Sequence, residues 1–548
     1  MTRAGCPLLL VLALAGCGAG SPFGGDGTGG SGPGPCTWDR DCPQGLVCIE
    51  RECRAEDDLP PEQPDSRTFL PPAASERFVY ALSPEAGTVA VIDPVRVSVE
   101  SVPLPAEPVD LAVVPDTDAI VALSRKGAAL SFLDLGGAPS LEVLRLGRRL
   151  SKLSLAPDAS WALLWNPDGS PLDAGAEGLV LLVDVGALRG GTPQPAIERV
   201  AGRRHSHVFF RSDDGAARDA VVVGKDEISI FDLADPAAMP TPERVLLPPA
   251  FSELLTRTVI ASEDGAWLLL ASVASGELLV LDVEHRALST LPLPGAPSHL
   301  AISGHTVVVT LRTSGRAAWF ALPDAVAAPE LIRVAEVSLP GARCETPGCT
   351  VRPGQARISA DGSFALLFTD AGGTESFGRL DLASGGFDVF DRGRKQVRTL
   401  AISPDGSRAV ILHKPDPDST VADLYERMVD QAEGYSVVDL GSGRSQLVLT
   451  GTVPPRDVVF AEGRRFAAVT LRSDPEGAFR ADAIDLETLV PSSIPLASAP
   501  ESAGPLAPLL GDRIWVTQLH PAGRISFVDL AARSSQTVTG FELNGEIE

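Results

Sequence analysis

The sequence predicts an all-β protein, a β-propeller of about eight to ten four-stranded units, and three observations predict it. Short apolar strands recur at regular spacing from about residue 75 to residue 548. Tight-turn signals such as Pro404-Asp405-Gly406 and Glu263-Asp264-Gly265 separate them, and 53 Gly and 47 Pro supply the many turns that short strands need. One strand of most units ends in Asp-Leu or Asp-Val, as at Asp134-Leu135, Asp232-Leu233, Asp282-Val283 and Asp529-Leu530.

Ahead of the repeats, residues 1–16 form a targeting segment. Arg3 gives a positive start, and the apolar run from Leu8 to Leu14 is far below the roughly 20 residues of a spanning helix. The run ends in Leu14-Ala15-Gly16-Cys17, which resembles the lipobox of bacterial lipoproteins. That resemblance implies cleavage before Cys17, acylation of its thiol and freed amine, and stable membrane anchoring through several acyl chains. Gly18, where that family often has an Asp for inner-membrane retention, implies a cell-envelope protein of the outer membrane.

Of 8 cysteines, Cys6 leaves with the leader and Cys17 carries lipid. The remainder, Cys36, Cys42, Cys48 and Cys53 plus the close pair Cys344 and Cys349, is even and exported. Three disulfides are expected, with the connectivity inside the cluster open. A zinc site is the alternative there, but no His lies near it. Residues 17–35 are a lipidated Gly/Ser/Pro-rich tether, and 55–74 an acidic, Pro-rich linker. Between them, 36–54 resembles the small cysteine-rich modules of secreted and surface proteins, too short to hold together without its staples.

Residues 75–548 carry the propeller. Val259-Ile260-Ala261-Ser262-Glu263-Asp264-Gly265 and Ala401-Ile402-Ser403-Pro404-Asp405-Gly406 are the same strand-and-turn unit. Phe78-Val79-Tyr80-Ala81-Leu82-Ser83, followed by Gly87-Thr88-Val89-Ala90-Val91-Ile92-Asp93, resembles the YVTN-type repeat of bacterial surface propellers. The resemblance implies a WD40-like fold and no particular function. Ten units can be counted at about 50 residues each, against the usual 4–8 blades. One large ring, irregular insertions or two rings would each account for the excess. The first unit starts at what matches a second strand. The segment from Thr537 to Leu543 is therefore expected to return as its missing inner strand and close the ring.

Aligning the units places Asp110, Lys152, His207, Arg257, His299, Gln355, Thr399 and Asp457 at the openings of eight first strands. The next residue is usually apolar, as at Leu111, Leu153, Val208, Leu300, Leu400 and Val458. In a propeller these strands line the central channel, so a converging polar ring is expected, as a ligand-binding site. Loop residues Arg125, Asn166, Arg312, Asp370, His413, Arg472 and His520 are expected to edge the same face. A longer insertion, Asp416 to Tyr435, carries Leu424 and Met428 at helical spacing. The resulting short helix either packs down on the ring or presents Tyr425 and Tyr435 to a partner.

A net charge of −25 argues against nucleic acid, whose binding needs an excess of Lys and Arg. No nucleophile elbow, phosphate loop or dinucleotide fingerprint appears, so neither a cofactor nor a catalytic residue is assigned. The leading reading is a non-enzymatic, membrane-anchored scaffold binding a protein or a small polar ligand. The alternative is an enzyme in the channel mouth, a metal-assisted hydrolase or lactonase-like activity using His207, His299, Arg257 and Asp457. There His205 and His207 would share a strand face.

Overall fold

A computed structural model describes residues 46–49, 52–55 and 69–546, apart from stretches at 168–177, 239–240, 253–256, 273–275, 342–348, 372–373, 391–394, 473–478, 508–509 and 542–544. The chain divides into two units, 1–64 and 65–548. In the first, Leu46–Ile49 pairs with Glu52–Ala55 as an antiparallel hairpin, with Cys48 opposite Cys53. Cys17, Cys36, Cys42 and Cys344 lie outside the described residues. Cys349 is described and stands in a disulfide. No helix among the described residues is long and apolar enough to cross a membrane.

The second unit is a ten-bladed propeller of antiparallel sheets, numbered here as blades 1–10 in chain order. Each blade is a meander, and its second and third strands are almost wholly buried. Ala119–Ser124 and Ala129–Asp134 of blade 2 are typical. Both faces of such strands are covered by neighbouring blades, which is why they read as continuous apolar runs rather than as alternation. The turn signals act as expected. Ser262 Oγ, Ser359 Oγ and Ser403 Oγ donate to Asp264, Asp361 and Asp405 at 2.5–2.6 Å, and Gly265, Gly362 and Gly406 take φ of +68° to +70°.

The core is divided into ten clusters, one at each junction between blades. Val79, Ala81 and Ile92 of blade 1 pack with Trp515, Phe527 and Val538 of blade 10, so a single ring closes through apolar contact. Polar side chains staple several junctions. Tyr80 Oη donates to Asp118 O at 3.1 Å, Trp319 Nε1 to Leu382 O at 2.9 Å, and Tyr435 Oη to Asp482 at 2.9 Å.

The terminal segments close the ring differently from the sequence expectation. Ser534–Thr539 is the outer strand of blade 10, not an inner strand of blade 1. The inner strand of blade 1 comes from upstream, where Ala73 pairs with Tyr80, Ala74 with Val79, and Leu70 N donates to Leu82 O at 3.0 Å. Pro71 and Pro72 lack N–H groups, so this strand cannot complete its ladder and leaves little trace in the sequence. Gly545–Glu546 pairs instead with the outer strand of blade 1, at Val99 and Ser98. The C-terminal segment therefore meets the outer edge of blade 1, at two residues, and not the inner edge expected from the sequence.

Candidate binding site on the strand-start face

In an antiparallel meander, the start of each inner strand and the loop between second and third strands lie on one face of the ring. All eight aligned residues do fall on inner strands, of blades 2 to 9. One of them, Arg257, turns its side chain the other way from the remaining seven.

Side-chain alternation shows where the alignment slips. In seven blades the residue after the aligned one packs at the preceding junction, as Leu111, Leu153, Val208, Leu300, Ala356, Leu400 and Val458 do. In blade 5, Val259 and Ala261 take that role, so Arg257 shares their side and Thr258 is the true equivalent. The sequence carried one signal of this: Thr258 is polar where most other units are apolar. Arg257 is 8 % exposed and donates to Gly224 O, Lys225 O, Phe251 O and Ser206 Oγ at 3.0–3.2 Å. It is a buried brace between blades 4 and 5, and burial holds its pKa below the usual guanidinium value.

Among the others, Asp110 and Lys152 approach each other across neighbouring blades. Lys152 Nζ lies 3.7 Å from Asp110 Oδ2, which also accepts from Leu153 N at 3.0 Å. His207 is exposed, and desolvation with the charge of Arg257 lowers its pKa. His299 is half-buried, its pKa lowered by burial and by Arg357. Asp457 accepts from Thr470 Oγ1 at 3.2 Å, and burial raises its pKa. Gln355 and Thr399 are half-buried on the inner strands of blades 7 and 8.

His205 and His207 part company, the first 2 % exposed against Trp165 and the second exposed. Among the described residues, no group of three or more His, Cys, Asp or Glu is placed to hold a metal ion. Of the loop residues, Asn166 and His413 are buried rather than edging the face. His413 Nε2 lies 2.7 Å from Ser436 Oγ and Nδ1 3.2 Å from Gln396 O, and burial lowers its pKa to about 4.

The insertion forms a helix, Leu424–Gln431, capped by Asp423, which accepts from Tyr425 N and Glu426 N. Its packing reverses the expectation from spacing. Leu424 and Met428 are 76 % and 50 % exposed, and Val429 is the residue that packs inward. Lys395, 2 % exposed, donates from Nζ to Val429 O and Asp430 O, so a buried cation neutralises the C-terminal carbonyls. Tyr425 faces solvent, whereas Tyr435 is buried on Asp482.

A concavity on this face lies where blade 10 meets blade 1. Its volume is about 380 Å³. Bulges interrupt the starts of the inner strands in blades 8, 9 and 10, at Arg398, at Arg456-Asp457 and at Glu501. Arg398 Nη2 donates to Pro455 O, and Arg456 Nη1 to Pro500 O at 3.1 Å, each latching onto the next blade. In blade 10 the corresponding residue is Glu501, which has no guanidinium to donate, and blade 1 offers Pro71 and Pro72. The cavity is lined there by the polar residues Arg456, Glu501, Ser502, His520 and Arg524 together with the apolar residues Phe69, Leu70, Leu519 and Phe541. His520 was expected at this face; Arg456, Glu501 and Arg524 were not, although Pro455-Arg456-Asp457 and Pro500-Glu501-Ser502 repeat one local pattern.

No family model matches this chain, and no curated protein does. Among solved structures it is similar to a eukaryotic initiation factor, at 10% identity and TM-score 0.47 over 86% of this chain and 97% of that one. It is also similar to a dihydro-heme d1 dehydrogenase in complex with DHE, at 16% identity and TM-score 0.38 over 72% and 82%. A Myceliophteria thermophila Cps50 (Swd1) β-propeller domain is similar at 13% identity and TM-score 0.29 over 56% and 96%. Likenesses this distant carry nothing about function. What this chain binds has to be read from its own residues.

Proposed function

We propose that this chain is a lipid-anchored cell-envelope protein of the outer membrane whose propeller is a non-enzymatic scaffold, binding a small polar ligand or a protein partner on its strand-start face. The binding half is carried by the cavity at the junction of blades 10 and 1, a concave site with a few polar groups beside apolar walls. The anchoring half rests on Leu14-Ala15-Gly16-Cys17, and the cysteine-rich segment 36–54 then serves as a stapled spacer between lipid and ring.

The two halves are tested separately. Cys17→Ser is expected to move the protein from the membrane to the soluble fraction, and retention in membranes at high salt would overturn the anchoring. Thermal melting of the full chain with millimolar small polar metabolites is expected to rise for those that bind the folded state. If none of them raises it and no partner cross-links to residues of this face, the binding half fails.

A further inference from the structure

We propose that the cavity between blades 10 and 1 is a site for a small organic anion, an apolar body bearing one carboxylate or phosphate. This inference rests on reading the propeller as a ligand-binding scaffold and adds the ligand's chemical class.

Arg524 carries the argument. It opens the third strand of blade 10, half-buried, and its Nε and Nη1 donate to Thr539 Oγ1 and Ser498 Oγ, each at 3.0 Å. Both partners are neutral hydroxyls, and among the described residues no carboxylate pairs with this guanidinium, in a protein that holds 71 acidic residues against 46 basic ones. Two hydroxyls fix the plane of the group while Nη2 has no acceptor among the described residues, which leaves the fork oriented and its charge without an ionic partner there. Burial lowers the pKa of Arg524, so an anion beside it would offset the cost of burying its charge.

Two further groups on the lining support this polarity. Arg456 is held by Pro500 O, and its Nε lies 3.7 Å from Asp457, with Nη2 left over. His520 Nδ1 accepts from Ala522 N at 3.2 Å, so Nε2 carries the hydrogen available to a ligand. The same lining includes Phe69, Leu70, Pro71, Pro72 and Phe541, apolar surface suited to a hydrocarbon or aromatic body rather than to a bare inorganic ion. Glu501 is exposed on the same lining, and its carboxylate weakens the hold on an anion bound beside it.

The experiment is calorimetric titration of the full-length protein with four probes: benzoate, phenyl phosphate, neutral benzamide and inorganic phosphate. Benzoate or phenyl phosphate is expected to bind at least tenfold more tightly than benzamide and inorganic phosphate, and the better of the two tells carboxylate from phosphate. Arg524→Gln is expected to abolish that preference. Glu501→Gln, at an exposed position that does not disturb folding, is expected to tighten the anion several-fold. Benzamide binding as well as benzoate, or anion affinity unchanged in both variants, would overturn the anionic class while leaving a binding scaffold intact. If none of the probes binds at millimolar concentration, the inference falls, and the thermal-shift and cross-linking results still decide the scaffold reading independently.

Discussion

Phe69 and Phe541, from opposite ends of the propeller, meet edge to face with ring centroids 5.0 Å apart and planes at 79°. Phe541 is 2 % exposed and belongs to the cluster that joins blade 10 to blade 1. It also fills the space beside Gly523, where a Cβ would come within 2.4 Å of its ring and where φ is +77°. The ring is therefore locked by two aromatic side chains as well as by strand pairing.

Phe541→Ala should cost roughly 3–5 kcal/mol, the range for a buried Phe. Deleting residues 536–548 should cost more, because it also removes most of the outer strand of blade 10 and the pair Gly545–Glu546 on blade 1. Thermal unfolding and light scattering would show a lower melting point with aggregation through exposed edges. A truncated protein that melts like the parent would refute this closure.

Arg257 and Lys152 occupied equivalent places in the sequence and should behave oppositely. Arg257→Ala leaves the carbonyls of Gly224, Lys225 and Phe251 without this donor and should destabilise by about 3 kcal/mol. Arg257→Lys should recover only part of that, having no fork to reach four acceptors. Lys152→Ala, at an exposed pair with Asp110, should cost less than about 1 kcal/mol. Urea unfolding of the three variants gives the comparison, and equal losses would contradict it.

His413 should make stability fall in mild acid. Its pKa is lowered to about 4 in the fold, against about 6.5 in the unfolded chain. Below 6.5 the unfolded state takes up a proton that the folded state refuses, so stability is whole above that pH and lost as it falls towards 4. The slope is about 1.4 kcal/mol per pH unit, or roughly 2 kcal/mol between pH 7 and pH 5. His413→Gln should lower stability at pH 7 but flatten this slope, and an unchanged slope would assign the acid sensitivity elsewhere.

The hairpin register selects among the disulfide patterns. Directly opposed residues in an antiparallel pair have Cα atoms about 4.5–5.5 Å apart, inside the roughly 4.4–6.8 Å of disulfides. Cys48 opposite Cys53 should therefore be one bridge, leaving Cys36 with Cys42, and Cys349 should pair with Cys344. Peptide mapping without reduction would find these three links, and a Cys36–Cys53 peptide would exclude the assignment.

The sequence by itself determined the strands and their turns, because these are local, and it bounded the units at about eight to ten, with one ring or two left to the tertiary structure. Strand alternation, Asp-Gly turns and the Asp-Leu ending each lie within a dozen residues, and ten counted units became ten blades. It also put seven of eight aligned residues in the correct register, since an apolar neighbour marks the side facing the preceding blade. Tertiary structure decided the rest. A slip of one residue at Arg257 reverses the side chain and turns a channel candidate into a brace, and only packing against blade 4 exposes it. Pro71 and Pro72 hid an inner strand because it lacks the ladder and the pattern that reveal one. Arg524 looked ordinary in sequence. What sets it apart is tertiary: among the described residues no carboxylate pairs with it, and it shares a cavity lining with Phe69 and Phe541, brought together from the two ends of the propeller when the ring closes.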